Sequence, residues 1–318
     1  MTGTGAFGAG AGRGRRVGEV RVEALRPGRR LQLPDAVAAE EPLEIRVAPA
    51  GADPQVLGVT MRTPGHDFEL AVGFLLSEGV VRHPATVRAV RFCTLGAEEE
   101  QRYNVVTVDL GAPADTSPAG TSPAGTSPAG TQAVAVRPRR FPISSACGVC
   151  GTATLDDLQR RCAALPPGPE LAATTLVDLP EQLRASQKVF ERTGGLHAAG
   201  LFDVDGKLLA AREDVGRHNA VDKLVGWAAL RGALPLHQAV LVVSGRLGFE
   251  IVQKAAVAGI AIVVAVSAPS SLAVDTARRF NMTLAAFVRD GRANLYSGAQ
   301  RVVGQPRAAV SPAAPSAG

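Results

Sequence analysis

Short β-branched runs separated by turn residues dominate the first half of the chain. They predict strands at residues 43–47, 56–61, 87–92 and 103–110. Between the second and third strands, apolar side chains recur at helical spacing. This spacing predicts one helix that begins after Thr63-Pro64-Gly65 and ends at Gly79. The first half therefore predicts a small mixed sheet with one packed helix.

The second half contains longer apolar runs. A hairpin is predicted at residues 198–211, followed by a helix with Ala220, Leu224 and Ala228 on its apolar face. Apolar strands are then predicted at residues 240–244, 260–266 and 284–288, with helices at 249–258 and 272–280. Buried strands joined by single helices are typical of parallel neighbours covered on both faces. The predicted fold class is α/β, with a C-terminal three-layer sandwich and a smaller N-terminal mixed α+β domain.

Composition predicts two domains and two tails. Residues 1–16 and 304–318 are rich in Gly, Ala, Pro and Ser, which is typical of disordered tails. Three copies of Thr-Ser-Pro-Ala-Gly fill residues 116–130, and each proline blocks regular strand pairing. A low-complexity loop is therefore expected at residues 111–136. The expected domains are residues 17–140 and 141–303.

Composition and charge exclude several classes of protein. With 46% hydrophobic and 20% charged residues, the chain is predicted to be an ordinary globular protein. The net charge of +5 comes mostly from arginine, and no basic run is interleaved with stacking aromatic residues, so nucleic acid is not an expected partner. The sequence shows no signal peptide and no apolar stretch of membrane-spanning length. We therefore expect a cytoplasmic protein without a membrane partner.

The Cys147-Gly148-Val149-Cys150 motif is the first candidate for chemistry. Cys93 and Cys162 are isolated and are predicted to pack as small hydrophobic residues. The paired cysteines are compatible with half of a zinc site, with dithiol exchange or with persulfide carriage. No second ligand pair stands at zinc-site spacing, so no metal site is expected. Spacing alone leaves dithiol exchange and sulfur transfer equally open.

Polar side chains follow the predicted strands of the second half. Ser244-Gly245-Arg246 follows the first buried strand, and Arg289-Asp290-Gly291-Arg292 follows the last. Ligands of open α/β sheets bind outside the carboxyl ends of strands, and these side chains suit a phosphate-bearing anion. Arg217 and His218 begin a predicted helix, where they indicate either a phosphate site or plain hydrogen bonding, with Asp214 as a possible helix N-cap.

Five separated motifs resemble one known family. They are residues 62–70, 73–79, 145–151, 193–199 and 213–223, which read RTPGHDFEL, GFLLSEG, SACGVCG, TGGLHAA and EDVGRHNAVDK. In this order they resemble the formate dehydrogenase accessory sulfurtransferase (FdhD) family, over roughly residues 17–300.

The resemblance implies a function for both domains. It implies that a cysteine desulfurase loads sulfur onto Cys147, the first cysteine of the pair. Cys150 is placed to help release that sulfur by closing a disulfide, so both cysteines are the expected catalytic residues. The sulfur then passes to the molybdenum or tungsten bis-(molybdopterin guanine dinucleotide) cofactor, which is bound as substrate, before its insertion into formate dehydrogenase. GDP is expected to mimic part of that cofactor. The resemblance also implies a homodimer, and a C-terminal domain like the cytidine deaminase fold that binds cofactor and transfers sulfur.

The family's guanine dinucleotide contacts correspond to residues 287–292 of this sequence. Together with the polar residues at the strand ends and loops, they form the predicted cofactor-binding set. This set comprises Phe287, Val288, Arg289, Asp290, Gly291, Arg292, Ser244, Arg246, His197, Arg217 and His218.

Two other functions compete with sulfur transfer. A zinc deaminase needs His-x-Glu and Pro-Cys-x-x-Cys, but Ala198 and Ala199 follow His197, and Ala146 precedes the cysteine pair. A cofactor-binding chaperone that never carries sulfur would explain the arginines but would give the two cysteines no role.

Overall fold

The computed structural model describes residues 14–93, 103–111, 158–159 and 161–305. It begins with an antiparallel ribbon of two ten-residue strands, β1 (Val17–Arg26) and β2 (Arg29–Ala38). Gly28 takes a φ of 72° in the turn between them. This ribbon was not predicted, although the apolar residues of β1 alternate with charged ones, as in a half-buried strand. Within the described residues, no helix is both long and apolar enough to cross a membrane.

A four-stranded sheet with one helix follows the ribbon. Its strands are β3 (Glu41–Ala48), β4 (Gln55–Arg62), β5 (Val87–Phe92) and β6 (Val105–Leu110), in the order β4-β3-β6-β5. Helix α1 (Asp67–Ser77) lies between β4 and β5 in sequence. The predicted small mixed sheet with one helix is confirmed, with shifts of one or two residues at the element ends. The one parallel pair in this sheet is β3 with β6.

Further elements build the second half of the chain. In order they are β7 (Leu171–Ala172), α2 (Ala173–Ser186), α3 (Lys188–Thr193), β8 (His197–Phe202), β9 (Leu208–Asp214), α4 (Arg217–Leu230), β10 (Val240–Val243), α5 (Phe249–Val257), β11 (Ile262–Ala265), α6 (Ser271–Arg279), β12 (Thr283–Arg289), β13 (Arg292–Ser297) and β14 (Val302–Val303).

Six of these strands form one sheet in the order β13-β12-β11-β10-β8-β9. The neighbours β10, β11 and β12 are parallel, which confirms the prediction from buried strands joined by single helices. Strand β8 pairs antiparallel to β10, and β13 adds an antiparallel edge that the sequence analysis missed. The starts of β8 and β13 therefore lie at the same end of the sheet as the carboxyl ends of the parallel strands.

Helices cover both faces of the six-stranded sheet. Alternate strand residues point to opposite sides, so Leu241 and Val263 share one core with α1, α4, α5 and α6. Val240 and Val264 share a second core with α2. The result is a mixed α/β arrangement in three layers. The expected likeness to the cytidine deaminase fold stays a prediction.

Helices α1 and α4 touch at their backbones, which joins the first half of the chain to the second. A Cβ atom on Gly73 would lie 1.8 Å from the carbonyl oxygen of Asp222, and one on Gly226 would lie 1.8 Å from that of Glu69. Only glycine fits at these two positions. The helices bury one core that contains residues from both halves. The proposed domain boundary at residue 140 lies outside the described residues.

Candidate functional site

A cavity of about 520 Å³ opens at the carboxyl end of the parallel strands. One wall is the sheet, where His197 begins β8, Ser244 follows β10, and Val288 and Arg289 end β12. The opposite wall is built by α2, α3 and the loop that leads into β8. The cavity therefore lies where open α/β sheets bind their ligands.

The structure brings five of the predicted cofactor-binding residues to this cavity. They are His197, Ser244, Val288, Arg289 and Asp290. The other six predicted residues are not part of its lining: Phe287, Gly291, Arg292, Arg246, Arg217 and His218. Contact of these six with a ligand stays a prediction.

The chain around β12 and β13 has an unusual local shape. Asp290 and Gly291 take φ values of 52° and 69°, which suits a tight two-residue hairpin turn with the right-handed twist of the strands. Phe287, at φ 54°, sits in an irregularity of the strand pairing, and this conformation costs a bulky residue free energy. The strand resumes at Val288, which is buried. This shape holds Arg289 and Asp290 at the cavity mouth.

Several charged residues lie near His197. They include Arg217 and His218 at the start of α4 and Arg246 after β10, and Glu250 at the start of α5 lies beside His218. His218 Nε2 lies 3.7 Å from Glu250 Oε2, and this contact with His218 lowers the pKa of Glu250 to about 2. Burial, followed by the charge of Arg217, lowers the pKa of His197. His197 is therefore neutral near pH 7 and borders both the cavity and these charged residues.

Asp214 is the centre of a buried polar network rather than a helix cap. The N-cap of α4 is Gly216, and no side chain caps it. Asp214 accepts hydrogen bonds from Asn219 Nδ2 at 3.0 Å and from the backbone N–H of Thr63 at 3.2 Å, and it pairs with Lys223 Nζ at 2.6 Å. The N-cap interpretation is therefore wrong. The first and last of the five motifs thus meet in a structural network.

The wall formed by α2 and α3 is the part of the site that the sequence analysis missed. Arg184 stacks its guanidinium on the ring of Phe190, 4.4 Å from the ring centroid. Glu213 accepts hydrogen bonds from the backbone N–H groups of Val189 and Phe190, at 3.1 and 2.7 Å. These bonds fix the start of α3 and with it the position of Phe190. The spacing of Glu181 and Arg184, one helical turn apart, was the available sequence signal.

The predicted catalytic residues Cys147 and Cys150 lie outside the described residues. The two isolated cysteines lie within them, and both are partly buried. Cys162 Sγ donates a weak hydrogen bond to the carbonyl oxygen of Leu158, and burial raises the pKa of its thiol. These facts agree with the predicted packing role of Cys162.

A family model and several relatives of known name all match this chain to one family. A family model described as the FdhD/NarQ family matches residues 38–303. The sulfur carrier protein FdhD of Nocardia farcinica is 47% identical over 293 residues, which cover 91% of this chain and 96% of that protein. That of Mycolicibacterium paratuberculosis is 46% identical over 286 residues, covering 89% and 97%. That of Anaeromyxobacter sp. is 48% identical over 276 residues, covering 84% and 88%.

A solved structure shares the fold. The crystal structure of a protein from Desulfotalea psychrophila, described as a formate dehydrogenase accessory protein, matches with a TM-score of 0.67 and 24% identity. The match covers 91% of this chain and 100% of that one. The relatives extend over most of the sequence, and the family model contains all five motifs. The chain belongs to the FdhD/NarQ family.

Proposed function

We propose that the chain is a sulfur carrier for the maturation of formate dehydrogenase. It accepts sulfur from a cysteine desulfurase as a persulfide on Cys147 and delivers it to the molybdenum or tungsten bis-(molybdopterin guanine dinucleotide) cofactor. The first step is supported by relatives named sulfur carriers, which match this chain over nearly their whole length at 46% to 47% identity. The observation that carries the second is that five predicted cofactor-binding residues, in or directly after three separate strands, border one cavity.

The sulfur steps balance with the two cysteines and one reductant. The Cys147 thiolate attacks the outer sulfur of the desulfurase persulfide, a new S–S bond forms, and the desulfurase cysteine leaves as a thiolate. Cys150 then attacks the inner sulfur and closes a disulfide with Cys147, which releases hydrosulfide. The hydrosulfide replaces an oxygen ligand of the metal, which leaves as hydroxide. A cellular dithiol then reduces the Cys147–Cys150 disulfide and is itself oxidised to a disulfide.

Forming the Cys147 thiolate needs a favourable local charge. A free cysteine with a pKa of about 8.5 is only slightly ionised at neutral pH. The sequence supplies Arg137, Arg139 and Arg140 a few residues before the motif. Nearby positive charge stabilises a thiolate, so these arginines support a nucleophilic Cys147.

The cavity supplies groups for a nucleotide end of the cofactor. Its volume of about 520 Å³ lies in the usual range for small-molecule sites. Arg289 offers a planar guanidinium that can bind phosphate oxygens in pairs. Ser244 Oγ accepts a hydrogen bond from the backbone N–H of Ala198 at 2.9 Å, which leaves its own O–H to donate. Neutral His197 can both accept and donate a hydrogen bond.

GDP binding tests the cofactor site. We expect the Arg289→Ala variant to bind GDP about tenfold more weakly or worse in calorimetry, because a charge-assisted hydrogen bond contributes roughly 1.5 to 3 kcal/mol. The control is Arg82→Ala, which removes an exposed arginine outside the cavity lining. Equal affinity of wild type and Arg289→Ala for GDP would show that the phosphates bind elsewhere.

Complementation tests the role in sulfur transfer. In a host that lacks its own sulfur carrier, we expect wild type to restore formate dehydrogenase activity and Cys147→Ala to restore none. Full activity with Cys147→Ala would instead support the cofactor-binding chaperone, which has no use for the thiol.

We further propose that the protein acts in the cytoplasm as a homodimer, with a cysteine desulfurase and formate dehydrogenase as its protein partners. The reducing cytosol suits a thiol that must be free to attack. Light scattering of the purified chain at several concentrations tests the dimer, since a monomer mass throughout would contradict it.

A further inference from the structure

We propose that Glu181 selects guanine as the base in the cavity, by accepting hydrogen bonds from the N1–H and the amino group of its Watson–Crick edge. This inference rests on the proposed nucleotide site. It assigns base recognition to α2, a helix outside the predicted cofactor-binding set.

The cavity has two chemically different ends. The sheet side carries His197, Ser244 and Arg289, which are hydrogen-bonding or cationic groups suited to phosphate and ribose. The helix side carries the apolar Val177, Pro180 and Leu183, with Phe190 beside them. A nucleotide has the same division, because an apolar, stacking base is joined to an anionic phosphate. The base therefore fits the helix side.

Arg184 and Phe190 form a flat platform on that helix side. Arg184 Cζ lies over the Phe190 ring, 4.4 Å from its centroid, so a guanidinium and an aromatic ring already contact each other here. The backbone N–H of Phe190 donates a 2.7 Å hydrogen bond to the Glu213 carboxylate, which fixes the position of Phe190. Aromatic and guanidinium planes are the surfaces on which protein sites stack bases, and they do so without regard to base identity. Stacking alone therefore leaves the choice of base to another group.

Glu181 is a carboxylate in the lining that can make this choice. It stands one helical turn before Arg184, yet within the described part of the chain it forms no hydrogen bond or ion pair, because Arg184 stacks on Phe190 instead. The other carboxylate in the lining, Asp290, lies 3.6 Å from Arg292 at the hairpin turn. Glu181 is exposed, so its side chain is free to turn toward a bound base.

The hydrogen-bonding character of a carboxylate determines which base it prefers. An ionised carboxylate only accepts hydrogen bonds, through two oxygens. Guanine presents two adjacent donors, N1–H and the N2 amino group, which match the two oxygens. Adenine presents an acceptor at N1, which would face the carboxylate without a proton between them. Hypoxanthine keeps N1–H but lacks the N2 amino group, so inosine diphosphate should bind with intermediate affinity.

Calorimetry of the full chain with GDP, inosine diphosphate and ADP tests the inference. Wild type should bind GDP best and ADP worst. In Glu181→Ala the affinity for GDP should fall about tenfold or more, which is the loss of one charge-assisted hydrogen bond, while the affinity for ADP changes by less than roughly threefold. The control is Asp178→Asn, which neutralises an exposed carboxylate on the same helix outside the cavity lining and should keep the wild-type preference.

Three outcomes would overturn the inference, and they are distinguishable. If Glu181→Ala keeps the wild-type preference for GDP over ADP, another group selects the base and the proposed nucleotide site stands. If Glu181→Ala weakens GDP and ADP equally, Glu181 supports the cavity without reading the base. If wild type binds neither GDP nor ADP, the nucleotide site itself is refuted, and the role of Glu181 falls with it.

Discussion

A methyl group added at Gly226 tests whether contact between the backbones of α1 and α4 holds the two halves of the chain together. In Gly226→Ala the new Cβ would lie 1.8 Å from the carbonyl oxygen of Glu69 and 2.6 Å from its carbonyl carbon. Both atoms are backbone, so no side chain can rotate away. The helices must separate, which opens the core that they share.

Two opposing effects determine how far Gly226→Ala changes the free energy of unfolding. Alanine is about 1 kcal/mol better than glycine inside a helix, which favours the variant. Inserting a methyl group into a packed core costs typically 1 to 3 kcal/mol, and a contact with backbone lies at or above the upper end of that range. We therefore expect Gly226→Ala to lower the free energy of unfolding by about 2 kcal/mol or more.

Urea titration followed by circular dichroism measures this change, with Gly111→Ala as the control. A Cβ on Gly111 would meet nothing closer than the carbonyl oxygen of Thr86 at 3.8 Å, which is an ordinary contact. Gly111→Ala should therefore leave the midpoint nearly unchanged. An unchanged or higher midpoint in Gly226→Ala would show that the helices have room, and would refute the close-contact argument.

Two further predictions concern buried and partly buried charges. Lys223→Met leaves Asp214 buried without its cation, so it should lower the free energy of unfolding by about 3 to 5 kcal/mol in the same titration. The control is Lys188→Met, which replaces an exposed lysine and should change the free energy of unfolding little. Equal losses in the two variants would contradict the Asp214 network. The pKa of Glu250 falls from 4.5 to about 2 on folding, so its ionised form stabilises the fold above pH 4.5, and that contribution is lost as the pH falls toward 2. The difference in free energy of unfolding between wild type and Glu250→Gln should therefore shrink as the pH falls over that range. A constant difference would show that the contact with His218 does not stabilise the fold.

The sequence predicted those elements whose pattern is set by burial on both faces. Strands β10, β11 and β12 are continuous apolar runs, and their parallel pairing followed from the single helices between them. Helix α2 was missed although Leu176, Leu179 and Leu183 follow helical spacing, because Pro180 interrupts that pattern. Strand β13 was missed because it is a short edge strand of mixed composition.

The candidate site was predicted in part for a similar reason. The rule that ligands bind at strand carboxyl ends placed Ser244 and Arg289 in one cavity. It could not place the facing wall, because α2 and α3 come from an earlier segment of the chain. Arg217 and His218 were grouped with the ligand from their helix-start position, and that call stays a prediction. The structure adds that α5 brings Glu250 to within 3.7 Å of His218. Tertiary contacts of this kind have no local sequence signal.

Intact-mass analysis after incubation with a loaded cysteine desulfurase tests the central claim most directly. The comparison uses wild type, Cys147→Ala and Cys150→Ala, with the isolated Cys93 and Cys162 present in all three as internal controls. We predict an adduct of one sulfur atom on wild type and on Cys150→Ala, mapped by peptide analysis to Cys147, and none on Cys147→Ala. An adduct that persists in Cys147→Ala, or no adduct on any of the three, would contradict this prediction.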